Sequence, residues 1–162
     1  MKRLIILIAI IVGVYPINAQ SYKIQKAWAF ITNTLPGRAM TDEDGRRSRP
    51  EPIAERFIYI ETNYKGQPKI DSLWYNNIYC TATITAVTEL KHKAGVRFAD
   101  GTPVYIVPKK RNKLWRLQVQ PLNSTAIKQA DVKKIFVKGK LGNTSFKQQL
   151  AGEVELAGQE RN

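Results

Sequence analysis

The sequence is poor in the residues that most often carry chemistry. Its 162 residues include one cysteine, Cys80, and one histidine, His92, and 26 lysines and arginines outnumber 13 acidic residues. A single cysteine excludes a disulfide within the chain. Cys80 lies in the strand-like run 79–84, in phase with Ala82 and Ile84. We therefore expect it to fill the core as a small apolar residue.

The shortage of histidine and cysteine also argues against catalysis. His92 stands between Lys91 and Lys93, which disfavour its protonation, so we expect an exposed, mostly neutral imidazole in a loop. A Cys80–His92 dyad would join a residue that the pattern buries to one that it exposes. The sequence therefore predicts no catalytic residue and no cofactor, with an enzyme of unrecognised active site as the alternative.

Clustered carboxylates occur once, in residues 42–45 (Asp-Glu-Asp-Gly). The cluster lacks the spacing and the twelfth-position glutamate of a calcium-binding EF-hand loop. Three arginines follow it directly and balance its charge. We expect a solvated loop here and no metal site.

The only long apolar run stands at the N-terminus. Lys2 and Arg3 precede the run 4–14, and Ala19 supplies the small residue at which a signal peptidase cuts. The run is short against the roughly 20 residues that span a bilayer. We predict a signal peptide over residues 1–19, whose removal lowers the net charge from +13 to +11 because Lys2 and Arg3 are lost. The cleavage site has no cysteine for lipid attachment, so we expect no membrane anchor after cleavage.

Residues 20–152 have the pattern of one all-β domain. Apolar residues alternate with polar ones, β-branched and aromatic residues predominate, and turn signals recur every 8 to 12 residues. About eight strands without helices between them predict an antiparallel β-sandwich, immunoglobulin-like or similar. Within it we expect a mobile loop at 36–54 and a short helical turn at 123–131. The tail 153–162 is expected to be flexible.

Basic residues suggest an anion-binding face. If two of the basic groups converge at one end of the sandwich, they would attract phosphates or uronates. The alternative is a charged surface that only keeps the protein in solution. The anion-binding candidates are Arg46, Arg47 and Arg49 in one group and Lys109, Lys110, Arg111, Lys113 and Arg116 in the other.

Aromatic residues flank the turn at Asn76 and Asn77. Aromatic side chains at a loop end can stack on sugar rings, and Tyr75 and Tyr79 are the candidates for this role. We expect Trp74 in the core, where strand tryptophans usually lie.

Together these features predict an exported, non-catalytic binding or accessory module of a Gram-negative-type envelope, secreted or periplasmic. An acidic glycan, anionic lipid headgroups or an acidic envelope protein are the expected partners, and export removes the chain from nucleic acid. The alternative to a binding module or an enzyme is a structural subunit that assembles by strand addition.

The leader makes a direct prediction. Protein exported by a bacterial host should have the intact mass of the bare chain from Gln20 to Asn162, which mass spectrometry measures. A retained leader or another start would contradict the predicted cleavage after Ala19.

Overall fold

The computed structural model describes residues 21–34, 40–41, 47–48, 53–122, 132 and 134–158. All regular structure in these residues is β-strand, which confirms the predicted all-β class. In the same residues no helix has the length and apolar character needed to cross a membrane. The predicted leader and the helical turn at 123–131 lie outside the described residues.

The described residues form twelve strands. In chain order they are β1 (Ile24–Thr34), β2 (Met40–Thr41), β3 (Arg47–Ser48), β4 (Ile53–Thr62), β5 (Lys69–Tyr75), β6 (Ile78–Val87), β7 (His92–Val96), β8 (Pro103–Ile106), β9 (Lys113–Pro121), β10 (Ile135–Leu141), β11 (Thr144–Leu150) and β12 (Val154–Leu156). The predicted loop 36–54 contains β2 and β3 and the start of β4.

Eight strands form one mixed sheet in the order β11-β10-β5-β6-β9-β4-β1-β12. All neighbours are antiparallel except β1 and β12, which are parallel. The hairpins β2–β3 and β7–β8 form separate small sheets. The predicted sandwich would divide the long strands between two facing sheets, whereas here they share one. Strand spacing along a sequence predicts how many strands form but does not determine which of them pair.

The sheet curls strongly, so that its two ends approach each other. β1 contacts β11 although five strands lie between them in the sheet order. Tyr64 lies between the two ends. The centre of its ring is 4.8 Å from the centre of the Tyr22 ring, and a β-carbon built on Gly142 would lie 3.4 Å from a carbon of the Tyr64 ring. A register shift between Lys138 and Gly139 bends β10, and Gly139 allows that strand to press against the backbone of β5.

Two apolar clusters lie on opposite faces of the curled sheet. The inner cluster fills the concave face and draws on most of the long strands; its buried members are Ala29, Ile58, Ile60, Leu73, Tyr75, Cys80, Trp115, Leu117, Val119, Ile135 and Val137. The outer cluster lies between the sheet and the β7–β8 hairpin, and consists of Phe30, Phe57, Tyr59, Ile106, Leu114 and Leu156. Cys80 is a buried free thiol in the inner cluster, as the sequence predicts.

The outermost strands of the sheet are β11 and β12. On β11, the exposed Lys147 lies directly opposite the exposed Lys138 of β10. The ammonium group of Lys147 is 5.3 Å from the centre of the Phe136 ring. The edge of the sheet therefore presents two like charges side by side, with an aromatic ring beneath one of them.

The predicted flexible tail is wrong for residues 153–156. Val154–Leu156 forms β12 against β1, and Leu156 is fully buried. Glu153, directly before β12, lies 3.2 Å from the Arg56 guanidinium, and both side chains are almost completely buried, at 6% and 3% exposed. One ion pair and one leucine therefore dock a segment whose composition alone suggests fraying.

Burial dominates the electrostatics of this ion pair. It raises the pKa of the Glu153 carboxyl above its usual value near 4.5, and the opposing charge of Arg56 only partly offsets the effect. Burial beside Glu153 also raises the pKa of the Tyr75 hydroxyl. The Arg56 guanidinium lies 6.0 Å from the centre of the Tyr75 ring. The protein thus places a carboxylate where its charged form is disfavoured.

The raised pKa of Glu153 predicts a pH effect on stability. Because the folded-state pKa lies above the unfolded one, the contribution of Glu153 is complete below about pH 4.3 and is lost as the pH rises through the folded-state pKa. Glu153→Gln has no such titration. The free energy of unfolding of the wild type, minus that of Glu153→Gln, should fall as the pH rises above about 4.3 in urea unfolding. A difference that grows with pH would contradict the assignment.

Candidate functional site

A tight basic turn connects β8 to β9. The Asn112 N–H donates to the Lys109 carbonyl at 3.0 Å, which closes a tight turn with Lys110 and Arg111 at its centre. Arg111 has a φ of 76°, a left-handed conformation that a turn of this kind normally assigns to glycine. For an L-residue with a side chain this conformation costs roughly 1–2 kcal/mol.

A buried carboxylate holds the turn in place. Glu61, near the end of β4, is 1% exposed. Its Oε1 accepts a hydrogen bond from the Lys109 N–H at 2.8 Å and another from the Asn112 side-chain amide. Both ends of the turn are therefore tied to the same oxygen, and the strained Arg111 is fixed between them.

The strand register brings further cations to the same end of the sheet. Thr62, the last residue of β4, pairs with Lys113 of β9 and with Ile24 of β1, and the Lys23 N–H donates to the Asn63 side chain at 2.7 Å. The contacts of Tyr64 with the β10–β11 turn bring that turn to this end as well. The exposed cations of this basic end are Lys23, Lys65, Lys69, Lys109, Lys110, Arg111, Lys113 and Lys140.

The charge at the basic end is poorly compensated. Lys69 of β5 lies directly opposite Lys140 of β10, and like charges in such a pair repel each other and destabilise the sheet. The acidic side chains near this end are fewer than its cations: Glu61 lies buried beneath the turn, and Glu89 is hydrogen-bonded to His92. Asp71 is exposed two residues along β5 from Lys69. The basic end thus favours an external anion.

The predicted anion-binding residues are only partly brought together. Lys109, Lys110, Arg111 and Lys113 lie in one turn, whereas Arg116 lies further along β9 on the outer face, half-buried against Phe57. Arg46, Arg49 and the side chain of Arg47 lie outside the described residues. Sequence reasoning missed Glu61, and it missed the isolated lysines that the register adds. The sequence did contain a signal for Glu61: a carboxylate that directly follows the apolar run 57–60 is a candidate for burial with hydrogen-bond partners.

The aromatic residues differ from the expectation. Tyr75 is fully buried in the inner cluster, so its predicted role in stacking on sugars is wrong. Trp74, expected in the core, is 37% exposed on the outer face. Tyr79 is half-buried, and its ring packs edge-on against Trp74 at 5.0 Å. The alternation of side chains along β5 explains why Trp74 is exposed and Tyr75 is buried. Tyr75 lies on the inner face with Leu73, and Trp74 between them lies on the outer face.

His92 is a packed residue of β7 and not a loop residue, which corrects the expected exposed imidazole. Its Nε2 is 2.8 Å from the Tyr59 hydroxyl and its Nδ1 is 2.7 Å from the Glu89 carboxylate. Both ring nitrogens therefore have partners. Burial raises the pKa of the Tyr59 hydroxyl. Cys80 belongs to the inner cluster and His92 contacts the outer one, so the sheet separates the two members of the conceivable dyad.

The strained turn makes a prediction about stability. Arg111→Gly should raise the free energy of unfolding by about 1 kcal/mol or less, because relief of the left-handed strain exceeds the entropy cost of glycine. Lys110→Gly removes the same charge without relieving strain and should lower stability by about 0.5–1 kcal/mol. Chemical denaturation of both variants tests this. An Arg111→Gly protein less stable than the wild type would contradict the assigned conformation.

Comparison with known proteins adds no relationship to these observations. No protein-family model matches the sequence, and neither the search of curated proteins nor that of solved structures found a similar chain.

Proposed function

We propose that this protein is an exported, non-catalytic binding module of the bacterial envelope, which binds an acidic glycan through its basic end. The pattern of residues 1–19 supports export, and removal of this leader would leave a strongly basic domain. The observation that carries the proposal is Arg111, an arginine kept in a left-handed conformation at the tip of a cationic turn.

The chemistry of the turn supports binding because a purely structural turn would be better served by glycine. Backbone strain persists where the surrounding structure imposes it, and such positions concentrate at functional sites. Here the buried Glu61 imposes the conformation through two hydrogen bonds. The result is a set of cationic side chains on a pre-organised backbone, which lowers the entropy cost of binding.

An extended polymer fits the distribution of charge better than a small anion. The cations of the basic end come from the start of β1, the β4–β5 connection, the β8–β9 turn and the strands β5 and β10. No single small group can contact them all, whereas a polymer with regularly spaced carboxylates can. Binding would release counterions and would weaken as salt is added.

The environments of the single histidine, His92, and the single cysteine, Cys80, are consistent with a non-catalytic role. Both nitrogens of His92 have hydrogen-bond partners, and Cys80 is buried. Burial raises the pKa of the Cys80 thiol, which disfavours the reactive thiolate. Both residues therefore serve packing in this proposal.

Binding to polygalacturonate, with dextran as the neutral polymer, tests the proposal. The wild-type mature chain should bind polygalacturonate at low salt and lose affinity steadily as salt increases. The triple variant Lys109→Gln, Lys110→Gln, Lys113→Gln should bind about 10- to 100-fold more weakly, because exposed ion pairs contribute about 0.5–1 kcal/mol each.

A charge-matched control separates this site from net charge. Arg97→Gln, Lys134→Gln and Lys147→Gln remove three exposed cations outside the basic end and should leave most of the affinity intact. Equal losses in the two triple variants would show non-specific attraction and defeat the proposal. Binding only to anionic vesicles, or only to an acidic protein, would replace the glycan as the partner.

A further inference from the structure

Arg116 occupies a different part of the molecule from the basic end. It lies in β9 between Tyr59 of β4 and Thr85 of β6, on the outer face of the sheet. Its guanidinium carbon is 4.7 Å from the centre of the Phe57 ring. Stacking of this kind fixes the plane of a guanidinium and leaves its donors directed along that plane.

Two crevices open on either side of Arg116, beneath the edge of the β7–β8 hairpin. The first has a volume of about 230 Å³, and Thr85, Gln118 and His92 contribute to its lining. The second has a volume of about 300 Å³, with Thr32 and Thr34 of β1 in its wall. Arg116 lines both of them, so its guanidinium stands at the centre of a polar groove across the outer face.

The guanidinium lacks an anionic partner within the described part of the chain. No carboxylate oxygen there lies within 4.0 Å of it, although Glu55 lines one crevice and Glu89 the other. The Nε of Arg116 is buried and has no hydrogen-bond acceptor among the residues that the structure describes. A buried donor without an acceptor is unfavourable, and a carboxylate that reached this atom would supply the acceptor.

We propose that this groove is a second binding site, specific for a single carboxylate carried by a sugar, such as a uronate residue. One stacked guanidinium suits one bidentate carboxylate. The hydroxyl groups of Thr32, Thr34 and Thr85 and the amide of Gln118 are suitable partners for sugar hydroxyls, and the crevices on both sides leave room for a pyranose ring. The site does not depend on polymer binding at the basic end.

Titration of the mature protein with glucuronate, glucose and inorganic phosphate tests this site. The NMR resonance of the Arg116 Nε–H group should shift on addition of glucuronate and stay in place with glucose. Arg116→Lys keeps the charge but loses the bidentate fork, so glucuronate affinity should fall at least about tenfold. Arg116→Gln should abolish binding.

Two variants separate the groove from other sources of binding. Arg97→Gln removes an exposed arginine from the β7–β8 hairpin and should leave glucuronate affinity unchanged, as should the triple lysine variant of the basic end. Thermal unfolding confirms that each variant is folded. Undiminished glucuronate binding by folded Arg116→Gln would overturn the assignment, and so would phosphate binding without glucuronate binding.

Discussion

Burial of β4 on both faces is the constraint on which the rest of the structure depends. Ile58 and Ile60 face the inner cluster, and Phe57 and Tyr59 face the outer one. β1 and β9 flank β4 in the sheet, so its backbone groups are paired on both sides as well. Its alternation also separates the chemistry of the two faces, since no side chain of β4 reaches both.

The same strand positions the two charged anchors of the protein. Arg56, at the beginning of the buried run, points to the inner face and holds Glu153, which docks the last described strand. Glu61, at its end, holds the basic turn. In each case a charged side chain loses its water and gains fixed hydrogen-bond or ion-pair partners. This exchange stabilises the fold only when the partners are well placed for those bonds. Both lie where an otherwise loosely connected segment meets the rigid centre of the sheet.

The sequence predicts the strands well because alternation is a local property. The strand-like run 79–84, which lies within β6, and the core position of Cys80 follow from the period of two. Pairing is not local, and the single curled sheet depends on which strands meet across long separations. A single-residue ambiguity of phase was enough to exchange the expected environments of Trp74 and Tyr75.

The candidate sites were harder to predict for the same reason. The cluster Lys109–Lys113 is contiguous and therefore visible in the sequence, whereas Lys23, Lys65 and Lys140 join it only through the register and the curl. Glu61 is one carboxylate among 13 acidic residues until its hydrogen bonds are known. Arg116 is adjacent to the basic cluster in sequence, but the strand carries it onto the outer face and beside Phe57.

The paired lysines on β10 and β11 bear on how the protein behaves at high concentration. An outermost strand offers unpaired backbone groups to any extended segment, including the same strand of a second copy. A second β11 would bring its own Lys147 toward a sheet edge where Lys138 and Lys147 already repel each other. Growth of the sheet by copies of this chain is therefore opposed at the β11 edge, so a high protein concentration would not readily turn this edge into a seed for fibres.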